Sequence, residues 1–173
     1  METWIILLRG INVGGHHIVP MKELRRLMED DGFQSVATYI QSGNVACQYP
    51  ENPSNRVTQL IEQKFDFAPS SFVLKSSELR HIANNNPFPK DAGKAVHFFL
   101  FQEEPVNIDF GLMDSLKTET EAYSLIDKVF YFYAPDGIGR SKLIAKIDRI
   151  FSKAEMTARN LNTINKLLSM VEQ

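Results

Sequence analysis

Apolar residues fall along this chain in two alternating rhythms, with glycine, proline and asparagine between them. Trp4–Leu8 is an unbroken run of five apolar residues that ends in Arg9-Gly10-Ile11-Asn12-Val13-Gly14-Gly15. A run without alternation, bounded by glycine, predicts a strand buried on both faces and therefore in the middle of a sheet. Pro20 then stands at a helix-starting position, and Met21, Leu24, Leu27 and Met28 recur at helical spacing. Gly32 ends that helix, with Phe33 as its hydrophobic latch. Val36–Gln41 and Asn44–Tyr49 are β-prone runs around Ser42-Gly43, a hairpin signal. Val57, Leu60, Ile61 and Phe65 share a helical face within 53–67, and Ser71–Lys75 reads as a fourth strand. The first half thus reads β-α-β-β-α-β, the split-βαβ or ferredoxin-like order.

A short helix at Ser77–Ala83 precedes Asn84-Asn85-Asn86-Pro87-Phe88-Pro89, which no regular element can absorb. The boundary between the halves is expected there, giving segments 1–86 and 87–173. Ala95–Phe101 is again apolar without alternation, and Pro105–Leu116 is a weaker helix blurred by Gly111. Ala122–Ile126 and Val129–Tyr133 form a second hairpin around Asp127-Lys128. Leu143, Ile144, Ile147, Ile150 and Phe151 mark an amphipathic helix over Ser141–Phe151, and a last helix is expected over Thr157–Val171. The second half therefore reads β-α-β-β-α, with a helix where a fourth strand might stand. A single ferredoxin-like sheet covers one face with helices and leaves the other open. Strands apolar on both faces therefore predict an α+β protein of tandem ferredoxin-like halves packed into one rigid unit.

Composition narrows the class of protein. The chain has 173 residues, 43% hydrophobic and 23% charged, as in ordinary globular proteins. No apolar run approaches the ~20 residues of a membrane span. The amino terminus has no basic stretch leading into an apolar segment and cleavage site, and Cys47 is the single cysteine. Together these predict a soluble cytoplasmic protein with no membrane partner. The net charge of −2 argues against a general nucleic-acid coat. Charge is uneven, however. Arg140, Lys142, Lys146, Arg149, Lys153, Arg159 and Lys166 face only Asp136, Asp148 and Glu155 between positions 136 and 166. That excess is either a solvated pair of helices or a functional basic patch.

Several polar stretches could carry chemistry. Arg9, Asn12, Gly14 and Gly15 lie where the first strand leaves the sheet, offering a guanidinium and glycine amides to an anion. Gln41, Ser42, Gly43 and Asn44 hold more hydrogen-bonding groups than a turn requires. Gly137, Gly139, Arg140, Ser141 and Lys142 follow a strand and open a helix, so amides, helix dipole and cations would converge on a phosphate or carboxylate. This stretch is neither a Walker loop nor a dinucleotide fingerprint, and Ser141 alone could serve as a helix cap. Near the last helix, Asn160 adjoins a face on which Arg159, Asn162, Thr163 and Lys166 fall at i, i+3, i+4 and i+7. Asn and Thr cost helix propensity, which favours directed hydrogen bonds there. Cys47 reads as a core residue, His16 and His17 as loop histidines, and His81 and His97 lack ligand-like spacing to them.

Taken together, LLRGINVGG, the helix ending in Gly32-Phe33, TYIQSGN, Asn86-Pro87-Phe88, DGIGRSKL, and TARN followed by Asn162-Thr163 resemble the family called domain of unknown function 1697. The resemblance implies a two-part α+β protein with a tandem ferredoxin-like arrangement, and it brings no established activity. Its motif positions are Arg9, Gly10, Asn12, Gly14, Gly15, Gln41, Ser42, Gly43, Asn44, Gly137, Gly139, Ser141, Lys142, Arg159, Asn160, Asn162 and Thr163. Leu161 departs from the family pattern, which has tryptophan there. A ring that stacks on a ligand base would be lost in this chain, whereas a ring that only packs is replaced.

The expectation is a binder of a small phosphorylated or otherwise anionic ligand, charged by Arg9, Lys142 and Arg159. Glycine amides would cradle the anion, and Asn44, Asn160 and Asn162 would orient it. The alternatives are nucleic-acid binding by the basic C-terminal helices, or a protein-interaction module. No reaction, cofactor or oligomeric state follows from the residues.

Overall fold

In the computed structural model, which describes residues 1–172, the first strand β1 (Glu2–Arg9) lies between β3 (Asn44–Tyr49) and β4 (Ser70–Lys75), antiparallel to both. Its central place explains its sequence. Trp4, Ile6 and Leu8 join a core with Leu24 and Met28 of α1 (Met21–Asp30) and Val57 and Ile61 of α2 (Ser54–Phe65). Ile5 and Leu7 point to the other face and are equally buried; α3 (Ser76–Asn84) packs against β1 and β4. With β2 (Gln34–Tyr39) paired to β3, the sheet order is β2-β3-β1-β4, consistent with the split-βαβ arrangement. Gly32 ends α1 at φ 99°, and Phe33 beyond it stacks on Tyr49 at 4.1 Å.

The second sheet repeats this plan. β5 (Val96–Phe101) lies between β7 (Val129–Tyr133) and β8 (Met156–Asn160), and β6 (Ala122–Ile126) pairs with β7. Its order, β6-β7-β5-β8, is the first sheet's order in new numbers. Phe99, Phe101, Phe130, Phe132 and Phe151 fill the core beneath it. The fold is thus α+β, built from two similar four-stranded antiparallel sheets with helices.

The structure corrects three sequence expectations. Thr157–Asn160 is strand, and the last helix α7 runs over Leu161–Val171. Thr157 and Arg159 are buried while Ala158 between them is exposed, which is the two-residue period of a strand. Arg159 and Asn162 also fit a helical spacing by coincidence, and that fit carried the expected helix four residues too far. The second correction concerns Ser141–Phe151. Lys146, at φ −113° and ψ 16°, divides it into α5 (Lys142–Ala145) and α6 (Ile147–Ile150). No glycine or proline marks the break. The bend lets Leu143 of α5 and Ile150 of α6 both reach the core that Phe99 and Phe130 occupy. In addition, α4 (Phe110–Leu116) starts later than its apolar spacing suggests, where the Asp109 side chain accepts from the Leu112 amide at 2.9 Å.

The chain divides into two compact units. One is Met1–Asn84 together with the stretch from Ile164, and the other is Asn85–Thr163. Among the described residues no helix is long and apolar enough to cross a membrane.

Candidate functional site

In the first unit the loop after β1 and the β2–β3 turn do meet. The Asn12 side-chain amide donates to the Val19 carbonyl at 2.9 Å and the Gln41 carbonyl at 2.7 Å, while its oxygen accepts from the Val19 amide at 2.8 Å. The Leu8 amide donates to the Gly43 carbonyl at 2.8 Å. Asn12 therefore works as a clasp that ties both ends of its own loop to the hairpin. Gly14 and Gly15, at φ 60° and 74°, form the tight turn between Val13 and His16. Two consecutive left-handed residues are what such a turn demands, so the pair is accounted for by the backbone. Asn44 is buried and donates to the Tyr39 carbonyl at 3.0 Å and to Ser42 Oγ at 2.9 Å, which closes the hairpin loop. Arg9, Gly14, Gly15, Gln41 and Ser42 are exposed around this clasp, and His17 stacks on Phe67 at 4.2 Å.

In the second unit the predicted residues separate. Ser141 caps α5, its Oγ accepting from the Ile144 amide at 3.2 Å. A four-residue helix sums few peptide dipoles, so little positive charge gathers at its start. Gly137, at φ 99°, donates its amide to the Ala134 carbonyl at 3.0 Å. Gly139, Arg140 and Lys142 are exposed. Asn160 is a cap as well, accepting from the Thr163 amide at 2.9 Å at the start of α7. The Asn162 amide donates to the Gly93 carbonyl at 3.3 Å, and Thr163 is buried.

Arg159 pairs in register with Phe98, so its side chain lies on the sheet face opposite the one that Phe99 and Leu143 pack on. It therefore shares no surface with Lys142 of α5. The guanidinium donates to Thr157 Oγ1 at 2.7 Å and to the Ala158 carbonyl at 2.8 Å. Burial pulls its pKa down to about 10, which leaves it a cation at neutral pH. Arg159, Asn162, Thr163 and Lys166 are thus no single helix face.

The local charge excess takes on a shape that spacing did not reveal. Because α5 and α6 turn Leu143 and Ile150 inward, Lys146 and Arg149 face out. After α6 the chain folds back through Ser152 and Lys153, both left-handed, and the Lys153 amide donates to the Asp148 carbonyl at 2.7 Å. An open depression results, lined by Ala145, Lys146, Asp148, Arg149, Ser152 and Lys153. Arg140 and Lys142 lie exposed just upstream. Among the described residues, none of these five cations is in an ion pair. The signal in the sequence was the count of charges; the bend at Lys146 was not legible.

Cys47 and His97 are turned inward, whereas His16, His17 and His81 are exposed. Burial pushes the Cys47 thiol up to about 12, so it is no nucleophile at neutral pH. Among the described residues no group of three or more His, Cys, Asp or Glu could hold a metal ion. His97 is buried on β5, its Nε2 without a hydrogen-bond partner and its ring otherwise held by the Lys94 backbone. Desolvation lowers its pKa below the ordinary 6.5. The neutral ring is thus the folded form, and its stabilising share is complete above the unfolded value. That share is lost as pH falls through the folded pKa. Urea titrations across this range should show wild-type stability dropping more steeply than that of His97→Phe. Equal slopes would contradict the assignment.

The sequence model of the family described as protein of unknown function (DUF1697) matches residues 1–131, and the chain belongs to that family. Among solved structures it is similar to the conserved bacterial protein SP0830 from Streptococcus pneumoniae. The two are 24% identical, the match covers 98% of each chain, and the TM-score is 0.71. At that identity the likeness establishes the fold. No curated protein matches this sequence.

Proposed function

We propose that the protein binds a phosphate-bearing anionic ligand on the basic surface of residues 140–153. The observation that supports this most is the depression in which Lys146, Arg149 and Lys153 stand around one carboxylate, Asp148. A merely solvated face would intersperse the two signs and pair them, as α1 does with Arg25 and Glu29 at 2.9 Å. Here, among the described residues, the cations are in no ion pair, in a chain of net charge −2. Such a site attracts anions and adds charge-assisted hydrogen bonds on contact. The glycine turns and asparagines contribute stiffness to this reading, since they hold loops and helix starts in place.

Tripolyphosphate is the simplest probe. A ligand at a hundredfold its Kd stabilises by about 2.7 kcal/mol, and a chain of this size gains about 2–4 °C per kcal/mol. Wild-type protein should therefore melt several degrees higher with tripolyphosphate and show no change with an uncharged sugar. The Lys146→Gln/Arg149→Gln/Lys153→Gln variant should melt at the same temperature with or without it. An absent shift in the wild type, or a full shift in the variant, overturns the proposal.

A further inference from the structure

An exposed aromatic residue opens the helix whose preceding loop is bonded to the segment that carries the basic depression. Phe110, the first residue of α4, is 47% exposed, although Met113 one turn later is fully buried. The loop before it is laced to the rim of the depression at two points. The Ser152 hydroxyl donates to the Asn107 carbonyl at 2.8 Å, and the Asp109 amide donates to the Ile150 carbonyl at 2.9 Å. The backbone one residue before Phe110 is thus tied to Ile150, within the segment that carries Arg149 and Lys153. Asp148 is the one acidic residue that lines the depression; Asp109 is occupied in capping the Leu112 amide, Asp114 accepts from the Tyr123 hydroxyl, and Glu155 lies exposed two residues past Lys153.

Cations and an exposed aromatic carried on segments bonded to each other meet the two needs of an unpaired nucleotide strand. Phosphates need positive charge without a fixed sequence, and an unstacked base needs a flat apolar surface. A small-molecule site envelops most of its ligand, whereas this depression is open and suits a chain passing across it. A duplex hides its bases, so the ring would have nothing to contact without distortion. We infer that the basic surface binds single-stranded nucleic acid, with phosphates on Lys146, Arg149 and Lys153 and a base stacked on Phe110. This inference rests on the anion-binding reading above and names its ligand class.

The test is fluorescence anisotropy with a labelled oligothymidylate of about 12 nucleotides, within the usual range of strand-binding sites. The same-length duplex and tripolyphosphate are titrated in parallel. Single strand should bind more tightly than duplex, and log K should fall with log salt at a slope near −2, as about three phosphate contacts require. Phe110→Ala should weaken the oligonucleotide by about five- to 150-fold, the range of one lost base stack, and leave tripolyphosphate unchanged. Phe110→Tyr should restore binding. If tripolyphosphate binds through the three cations and the oligonucleotide does not bind at low salt, the nucleic-acid inference falls and the anion site stands. If neither binds, both fall. Equal affinity for duplex, or indifference to Phe110→Ala, reduces the interaction to bulk charge and also overturns the inference.

Discussion

Gly43→Val should lower the stability of the first unit by about 3 kcal/mol or more, combining left-handed backbone strain with overpacking. Gly43 sits at φ 90°, a conformation that β-branched residues avoid. A Cβ there would lie 2.8 Å from Leu8 Cβ, 3.0 Å from Ile11 Cδ1 and 3.2 Å from the Leu8 carbonyl oxygen. Neither neighbour can retreat. Leu8 belongs to the central strand, and its amide is bonded to Gly43 itself; Ile11 is buried beneath the loop. Trp4 reports on the same strand, since its buried indole donates to the Tyr49 carbonyl at 3.1 Å. Urea unfolding followed by tryptophan fluorescence should show the midpoint falling sharply. A variant as stable as the wild type would mean that the hairpin turn does not abut β1 as described.

Phe130→Ala should cost the second unit about 3–5 kcal/mol, the usual range for a fully buried phenylalanine. Phe130 lies on β7 with no exposed surface and touches rings on every side: Phe151 at 5.0 Å edge-on, Tyr123 at 5.6 Å, and Phe99 and Phe132 each at 5.9 Å. Phe151 follows α6 directly, so the cavity would open beneath the segment that carries the basic depression. Loss of near-ultraviolet dichroism at lower denaturant would register the change. Phe130→Leu, which keeps most of the volume, should cost much less. Equal losses for the two would argue against packing as the cause.

Strand positions and the helices of the first unit were readable because burial writes itself into residue order. Trp4–Leu8 read as a central strand from its unbroken apolar run, and Asn44–Tyr49 and Val129–Tyr133 as strands from their β-prone residues beside turn signals. What escaped the sequence was each feature decided by contacts between distant residues. β8 became a strand because β5 offered Thr157–Asn160 a pairing edge, and a four-residue coincidence with helical spacing hid it. The break at Lys146 answers to the position of a core that residues 99–132 build, with no local breaker to announce it. Asn12 looked like a ligand-binding group because it stands in the glycine loop after the first strand; its side chain is bonded to Val19 at the loop's far end and to Gln41, 29 residues away. Arg159 looked like a third cation for one site, whereas the strand's alternation turns it to the far face of the sheet. The clustered charge on 140–153 was visible as a count, and only the fold gave it a depression.

We propose that the basic surface, and not the glycine turns, receives the anion. Amide chemical-shift mapping with tripolyphosphate tests it directly, because each stretch reports separately. The account predicts perturbations centred on Lys146, Arg149, Ser152 and Lys153, extending to Arg140 and Lys142. Perturbations centred on the loop from Arg9 to Gly15 and on Gln41–Asn44, or a spectrum that does not move at all, would contradict it.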